Sequence, residues 1–265
     1  MRIFFPVAGG ICACFFLTWL LLPELENHAK TAVETAADIT TPAEGLVQAA
    51  RTGNMVKLGF YLGQQKPADI AETAVGRNAL MAAAENGHAD AAAMLLTFGV
   101  NPNFNNTLGQ FPLGAAAAAG HVEVMQQLLR YHADINHGYL QKNTALIQAS
   151  RNGRTAAVGL LLQHQAALWP GQGTGSSALI TALHNHHEDI AWQLLNAGAD
   201  SNDVDQYGNS VLMLAVKINA VNLVTELLKN KKVDKQHVNK NGETALSIAE
   251  KMSAKQLIDL LKTAE

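Results

Sequence analysis

Apolar positions recur with a fixed period over most of the chain. One set of leucines keeps a constant interval, which lengthens by a single position only at its last step: Leu80, Leu113, Leu146, Leu179, Leu212 and Leu246. A second set keeps the same interval and extends backward to Leu62: Leu95, Leu128, Leu161, Leu194, Leu227 and Leu260. A period of this length predicts a solenoid, in which each unit buries its apolar face against its neighbours.

Each period contains the pattern of two short helices. Leu113, Ala116 and Ala117 fall at i, i+3 and i+4, which places them on one helical face. Glycine stands between the helices of the first four units, where it can take the left-handed conformation that ends a helix. In the next two units this position holds His186 and Asn219, and both residue types tolerate positive φ better than most.

The content of the period resembles the ankyrin repeat. The segment from Gly76 to His88 reads G-R-N-A-L-M-A-A-A-E-N-G-H, and the segment from Leu194 to Asp200 reads L-L-N-A-G-A-D. The resemblance covers roughly residues 44–265. It implies an all-α ankyrin-repeat solenoid of helix-turn-helix units with short β-hairpin-like turns, preceded by an N-terminal hydrophobic helix.

The repeat divides the chain into a leader, a spacer and an ankyrin-repeat domain. Residues 1–23 form the leader, residues 24–42 the spacer, and residues 43–265 the domain. The seven predicted units are about 43–75, 76–108, 109–141, 142–174, 175–207, 208–241 and 242–265. The end units depart most from the pattern, as capping units do, because each turns one face to water.

The leader contains an uncharged apolar stretch, Ile3 to Leu22, which is long enough to span a bilayer as a helix. It is either a cleaved signal peptide or a retained signal-anchor transmembrane helix. Its length and the poor cleavage sites slightly favour the anchor. Arg2 precedes the stretch and acids follow it, which places the domain outside. We therefore expect a protein anchored in the inner membrane and facing the periplasm, or secreted to the periplasm.

Composition narrows the function. The net charge is −3, so the chain lacks the basic excess of a nucleic-acid-binding domain. The only cysteines, Cys12 and Cys14, lie in the leader, which leaves the domain no disulfide or thiolate metal site. We expect a monomer without a cofactor.

Two segments could carry chemistry, and both are better explained otherwise. The cluster from His184 to Asp189 is dense in metal ligands, but the repeat register itself accounts for His186 and His187, so we predict no metal site. The glycine-rich stretch after Trp169 lacks the strand and the lysine of a phosphate-binding loop. It is either a lengthened turn or, with Trp169, a binding anchor. We see no catalytic motif and predict no catalytic residues.

The ankyrin resemblance implies binding through a concave face, made of turn tips and the outward ends of the first helices. We expect a protein partner. The outward residues at the ends of the first helices form a row along the solenoid, and this row is mildly basic toward its C-terminal half. Alternatives are an immunity protein that neutralises a periplasmic toxin and a secreted effector that binds a host protein. The predicted partner-binding residues are Arg77, Glu85, Asn86, Tyr139, Arg151, Asn152, His184, Asn185, Tyr207 and Lys217.

Overall fold

Seven helix pairs follow one another along the chain in a computed structural model that describes residues 41–64, 74–138, 143–169 and 177–263. The first helices of the pairs are α1 (Pro42–Thr52), α3 (Ala74–Asn86), α5 (Pro112–Ala119), α7 (Ala145–Arg151), α9 (Ala178–His184), α11 (Val211–Lys217) and α13 (Ala245–Lys251). The second helices are α2 (Met55–Gly63), α4 (Ala89–Thr97), α6 (Val122–Arg130), α8 (Thr155–Gln163), α10 (Glu188–Asn196), α12 (Val221–Lys229) and α14 (Lys255–Thr263). The predicted all-α solenoid is confirmed.

Helices of neighbouring units pack in two layers. Each first helix contacts the first helix of the next unit, and most second helices contact one another in the same way. Alanines such as Ala83, Ala116 and Ala149 are completely buried between the layers. Because these side chains are small, adjacent helices approach closely, and the buried residues join into one continuous core.

Hydroxyl side chains begin many of the first helices. Thr41, Thr144, Ser177, Ser210 and Thr244 each accept a hydrogen bond from a backbone N–H three residues later. Such caps satisfy N–H groups that have no partner inside the helix. The described residues contain a single isolated antiparallel bridge, between Val204 and Ser210.

The register shifts by one position at both ends of the array. The residue between the two helices of each unit has positive φ in all seven units: Gly53, Gly87, Gly120, Gly153, His186, Asn219 and Ser253. The first and last intervals in this series are one position longer than the four between them. By helix position, Leu62 therefore corresponds to Leu96, and Leu261 corresponds to Leu227. The second leucine set therefore includes Leu62 and Leu260 wrongly. Leu261 is buried, whereas Leu260 is only half-buried.

Side chains of the following unit cover the first four of these turns. The Nε2 atoms of His88, His121 and His187 lie 2.9, 3.1 and 3.2 Å from carbonyl oxygens of the preceding unit, and the Nε of Arg154 donates to another at 3.0 Å. A carbonyl only accepts, so each Nε2 carries the proton. A Cβ at Gly53, Gly87 or Gly153 would lie 2.5 to 2.7 Å from an imidazole atom. We call these four contacts the covered junctions.

The N-terminal boundary is slightly earlier than predicted. Sequence analysis assigns Thr41 and Pro42 to the spacer, whereas Thr41 caps α1 and Pro42 is its first residue. The predicted apolar helix in residues 1–23 lies outside the described residues. None of the helices that the structure describes is long and apolar enough to cross a membrane.

Candidate partner-binding face

The predicted row at the ends of the first helices is exposed. Glu85, Arg151, His184 and Lys217 lie in the last turns of α3, α7, α9 and α11, and all four are solvent-exposed. They present one charged or titratable side chain on each of four units. Of the other predicted residues, Tyr139 lies outside the described residues, as does the side chain of Arg77 within α3.

The three predicted asparagines are already engaged with their own helices. Each side-chain Nδ2 of Asn86, Asn152 and Asn185 donates a 2.8 Å hydrogen bond to the carbonyl four residues earlier. The carbonyls of Gln148 and Thr181 also accept the backbone N–H of Asn152 and Asn185, so the side chain adds a second donor at these helix ends. The asparagines therefore contribute to helix termination as well as to the exposed surface.

The basic side chains of the row have partners within the chain. Lys217 Nζ donates to Asn209 Oδ1 at 2.9 Å, and His184 Nε2 lies 3.2 Å from Asp205 Oδ2. The guanidinium of Arg151 is 3.5 Å from Asn143 Oδ1. Lys251, one unit further, pairs with Glu243. The C-terminal half of the row is consequently less basic than its lysines and histidine suggest.

A buried polar network lies beneath this part of the row. The Asp205 carboxylate is 1% exposed and accepts from Asn209 Nδ2 and from the backbone N–H groups of Tyr207 and Asn209, each at 2.8 Å. Asn209 Oδ1 also accepts from Asn239 Nδ2 at 2.8 Å. The network continues from Asn239 to Glu243 at 3.0 Å. We call this chain of contacts the finger network.

The finger network controls ionisation of two carboxylates. Burial opposes ionisation of Asp205, but the donors from Asn209 and Tyr207 and the nearby His184 outweigh it and lower the Asp205 pKa. For Glu243, hydrogen bonds from Lys251 and Asn239 lower the pKa. Both carboxylates are thus held in the charged form that fixes their neighbours.

Tyr207 projects from the tip of the turn that Asp205 organises. Its side chain is 56% exposed. Its backbone oxygen accepts from the N–H of Lys240 at 3.1 Å, which ties this tip to the next one. An exposed tyrosine on a fixed backbone is a common contact residue in protein interfaces.

Comparison with known families agrees with this geometry. A protein-family model described as ankyrin repeats (three copies) matches residues 46–139 and 137–205. The chain belongs to the ankyrin-repeat family. No curated protein matches it. Ankyrin repeats are generally protein–protein interaction modules, and ankyrin-repeat proteins are typically non-enzymatic scaffolds.

The ankyrin register also explains the histidine cluster. His187 contacts the Arg151 carbonyl in a covered junction, His186 occupies the left-handed turn, and His184 faces Asp205. The three side chains thus have different surroundings. In the part of the chain that the structure describes, no three potential metal-ligating side chains form a group.

The contacts of the finger network were not predicted from the sequence. A signal for them exists, because Asn106, Asp205 and Asn239 each precede a positive-φ glycine by three residues. In each case the side-chain oxygen accepts two backbone N–H groups of the same turn. Such Asx turns are a recognisable pattern, but their contribution to contacts between units is not visible in the sequence.

Proposed function

We propose that the chain is a non-enzymatic interaction scaffold that binds a protein partner. The partner contacts the exposed row, which consists of Glu85, Arg151, His184 and Lys217, and the side chain of Tyr207 at its turn tip. The observation that carries this proposal is the exposure of Glu85, Arg151, His184 and Lys217 at the same position of the second, fourth, fifth and sixth units. Side chains repeated at the spacing of the units suit an extended partner surface better than a small molecule.

The contacts of the row distinguish supporting residues from recognition residues. Lys217 and His184 contact the finger network, so they stabilise the turn that carries Tyr207 and are also exposed to solvent. Tyr207 and Glu85 are exposed without a side-chain hydrogen bond to another described residue. We assign the main recognition contacts to Tyr207, Glu85 and Arg151, with His184 and Lys217 fixing the surface between them.

The chemistry of the row also supports a role in binding rather than catalysis. His184 and Asp205 form an acid–base pair, but no described hydroxyl or thiol is hydrogen-bonded to His184. A nucleophile within reach of the base is required for covalent catalysis. The proposed scaffold therefore acts by recognition.

The proposed site of action is the extracytoplasmic side of the membrane. The support is the apolar stretch from Ile3 to Leu22 with its preceding cation and following acids. In this proposal the leader tethers a monomeric repeat domain, or directs its secretion, so that the partner is a periplasmic or envelope protein. An incoming toxin and a host protein are the alternative partners.

The test is cross-linking in intact spheroplasts that express the full chain with a C-terminal tag. A membrane-impermeant cross-linker is added, and proteins joined to the tagged chain are identified by mass spectrometry. The triple variant Glu85→Ala, Arg151→Ala and Tyr207→Ala is compared with the wild type. The control is Glu123→Ala with Arg130→Ala, which removes the same charges from exposed positions on α6.

The expected result is one predominant partner that the triple variant loses and the control retains. Cross-linking only after permeabilisation would overturn the proposed location. Equal loss in both variants would overturn the proposed face. A partner found only when a toxin or host protein is supplied would select the corresponding alternative.

A further inference from the structure

Asparagine side chains bridge successive units on the side of the molecule where each second helix ends. Asn103 Oδ1 accepts from the N–H of Asp134 at 2.7 Å, and Asn136 Oδ1 accepts from the N–H of Ala167 at 2.8 Å. Two units later, Asn202 Oδ1 accepts from the N–H of Asp234 at 2.8 Å. Each of these three bonds joins one unit to the next at an equivalent position.

Trp169 interrupts this series. It lies midway between Asn136 and Asn202 in the sequence, one repeat period from each, so it occupies the position of the bridging asparagine. An indole ring has no acceptor atom to replace the amide oxygen. The N–H of Asp200, equivalent to that of Ala167, has no hydrogen bond to a described residue. The Trp169 side chain is 46% exposed.

A cavity of about 390 Å³ lies beside the ring. Leu168, Trp169, Gly198 and Ala199 form its apolar walls, and Ser177, Asp200 and Asp203 add polar groups. We call it the Trp169 cavity. Its volume suits a large side chain, and its position differs from that of the exposed row.

The two carboxylates of the Trp169 cavity, those of Asp200 and Asp203, are close enough to repel each other. Burial raises the Asp203 pKa, the Ser177 and Val204 hydrogen bonds oppose the rise, and Asp200 adds to it by charge repulsion. Among the described residues, neither carboxylate forms an ion pair with a cation. Residues 170–176, the connecting segment, contain no charged side chain. A cation in this cavity would relieve the repulsion between the carboxylates.

We propose that the Trp169 cavity binds an arginine side chain of a partner protein. The guanidinium stacks on the face of the Trp169 indole while its N–H groups donate to Asp200 and Asp203. Arginine fits better than lysine, because its planar fork both stacks on aromatic rings and bonds two carboxylate oxygens. The methylene groups of the same side chain pack on Leu168 and Ala199. This site is independent of the exposed row.

The test uses the full chain, purified in mild detergent, with ¹⁵N-labelled indole groups. The probe is the peptide acetyl-Gly-Arg-Gly-amide, and the matched control peptide carries citrulline, which has nearly the shape of arginine but no charge. The chain has three tryptophans, and the Trp169→Phe variant assigns the Trp169 indole signal. Titrations are followed by the shift of that signal at low and high salt.

The expected result is a saturable shift of the Trp169 signal with the arginine peptide and a weak or absent shift with citrulline. Asp200→Asn with Asp203→Asn is expected to raise the Kd about tenfold or more, since the charge-assisted bonds are lost. The control pair Glu188→Gln and Asp189→Asn removes the same charge elsewhere in the unit and should leave the Kd unchanged. Circular dichroism verifies that each variant is folded.

Three results would overturn the proposal. Equal shifts with the arginine and citrulline peptides would show a purely apolar cavity. An equal loss of affinity in the two double variants would show general charge attraction rather than a site. A Trp169 signal that does not respond to the arginine peptide would remove the site altogether. None of these results bears on binding through the exposed row.

Discussion

The two ends of the solenoid join their units by different means. The four junctions from the first unit to the fifth are covered junctions, in which His88, His121, Arg154 and His187 lie over the turn of the preceding unit. At the last two junctions the corresponding residues are Ala220 and Ala254, which are too short to cover a turn. There the finger network and the contact between His184 and Asp205 link neighbouring segments instead.

This difference explains where glycine is needed. All seven turns have positive φ, yet only the four covered turns have glycine. His186 and Asn219 occupy turns that face Ala220 and Ala254, where a side chain has room. The backbone conformation therefore favours glycine at every turn, and at Gly53, Gly87 and Gly153 the imidazole of the next unit also leaves no room for a Cβ. Three predictions test this comparison, in order of decreasing effect.

The largest effect is expected from Gly87→Ala compared with His186→Ala. The new Cβ would lie 2.7 Å from the His121 ring at a φ of +78°. We expect the free energy of unfolding to fall by about 2–4 kcal/mol, from backbone strain and the forced displacement of the ring. His186→Ala changes the side chain at a turn that already has a non-glycine residue at a φ of 62°. We expect this variant to lose less than about 1 kcal/mol of the free energy of unfolding. Urea denaturation followed by circular dichroism measures both.

The His121→Ala background separates strain from collision. In that background Gly87→Ala should cost only the strain of about 1 kcal/mol, because the hydrogen bond of His121 is absent from both of the proteins compared. Similar penalties with and without the ring would show that φ alone requires glycine.

An intermediate effect is expected from two carboxylates, Asp205 in the finger network and Asp203 beside it. Asp205→Asn removes the charge and replaces one carboxylate oxygen with an amide NH2 group, which cannot accept the hydrogen bond from Asn209 Nδ2. We expect the free energy of unfolding to fall by about 1–3 kcal/mol at pH 7. Asp203→Asn should raise it, because burial and Asp200 disfavour the ionised Asp203. The measurement is the difference from wild type across pH 3–7 in urea.

The pH dependence follows from the direction of each pKa. The folded pKa of Asp205 is below its usual value, so its stabilisation is present above the unfolded pKa of about 4 and is lost as the pH falls further. The folded pKa of Asp203 is above 3.8, so the cost of its charge disappears as the pH falls through that folded value. Differences that change in the same direction for both variants would contradict these assignments.

The smallest effect is expected from building a covered junction where none exists. The double variant His186→Gly and Ala220→His should place an imidazole over the turn and donate a hydrogen bond to the His184 carbonyl. We expect a gain of about 0.5–1.5 kcal/mol in the free energy of unfolding. Ala220→His alone is the control, because its ring would meet the His186 side chain. A melting temperature that is higher for the single variant than for the double variant would contradict this prediction.

Some features of the site were predictable because they repeat. The exposed ends at Glu85, Arg151, His184 and Lys217 follow from the register of the helices. The engagement of Asn86, Asn152 and Asn185 with their own helices was not predicted, since an amide at a helix end can point either way. The partners of His184 and Lys217 within the chain were not predicted either, because Asp205 and Asn209 lie in a different segment of the sequence.

The family, the helix pairs, the number of units and the positions of the turns were readable in the amino-acid sequence, because each of these is a local pattern repeated along the chain. The tertiary structure decided which turns require glycine, which charges are balanced and where a cavity opens. Those properties depend on atoms that meet across unit boundaries, such as the imidazole of His121 over Gly87. Trp169 shows both sides of this division. Its register position is readable in the sequence, but only the packing of the next unit creates the cavity beside it.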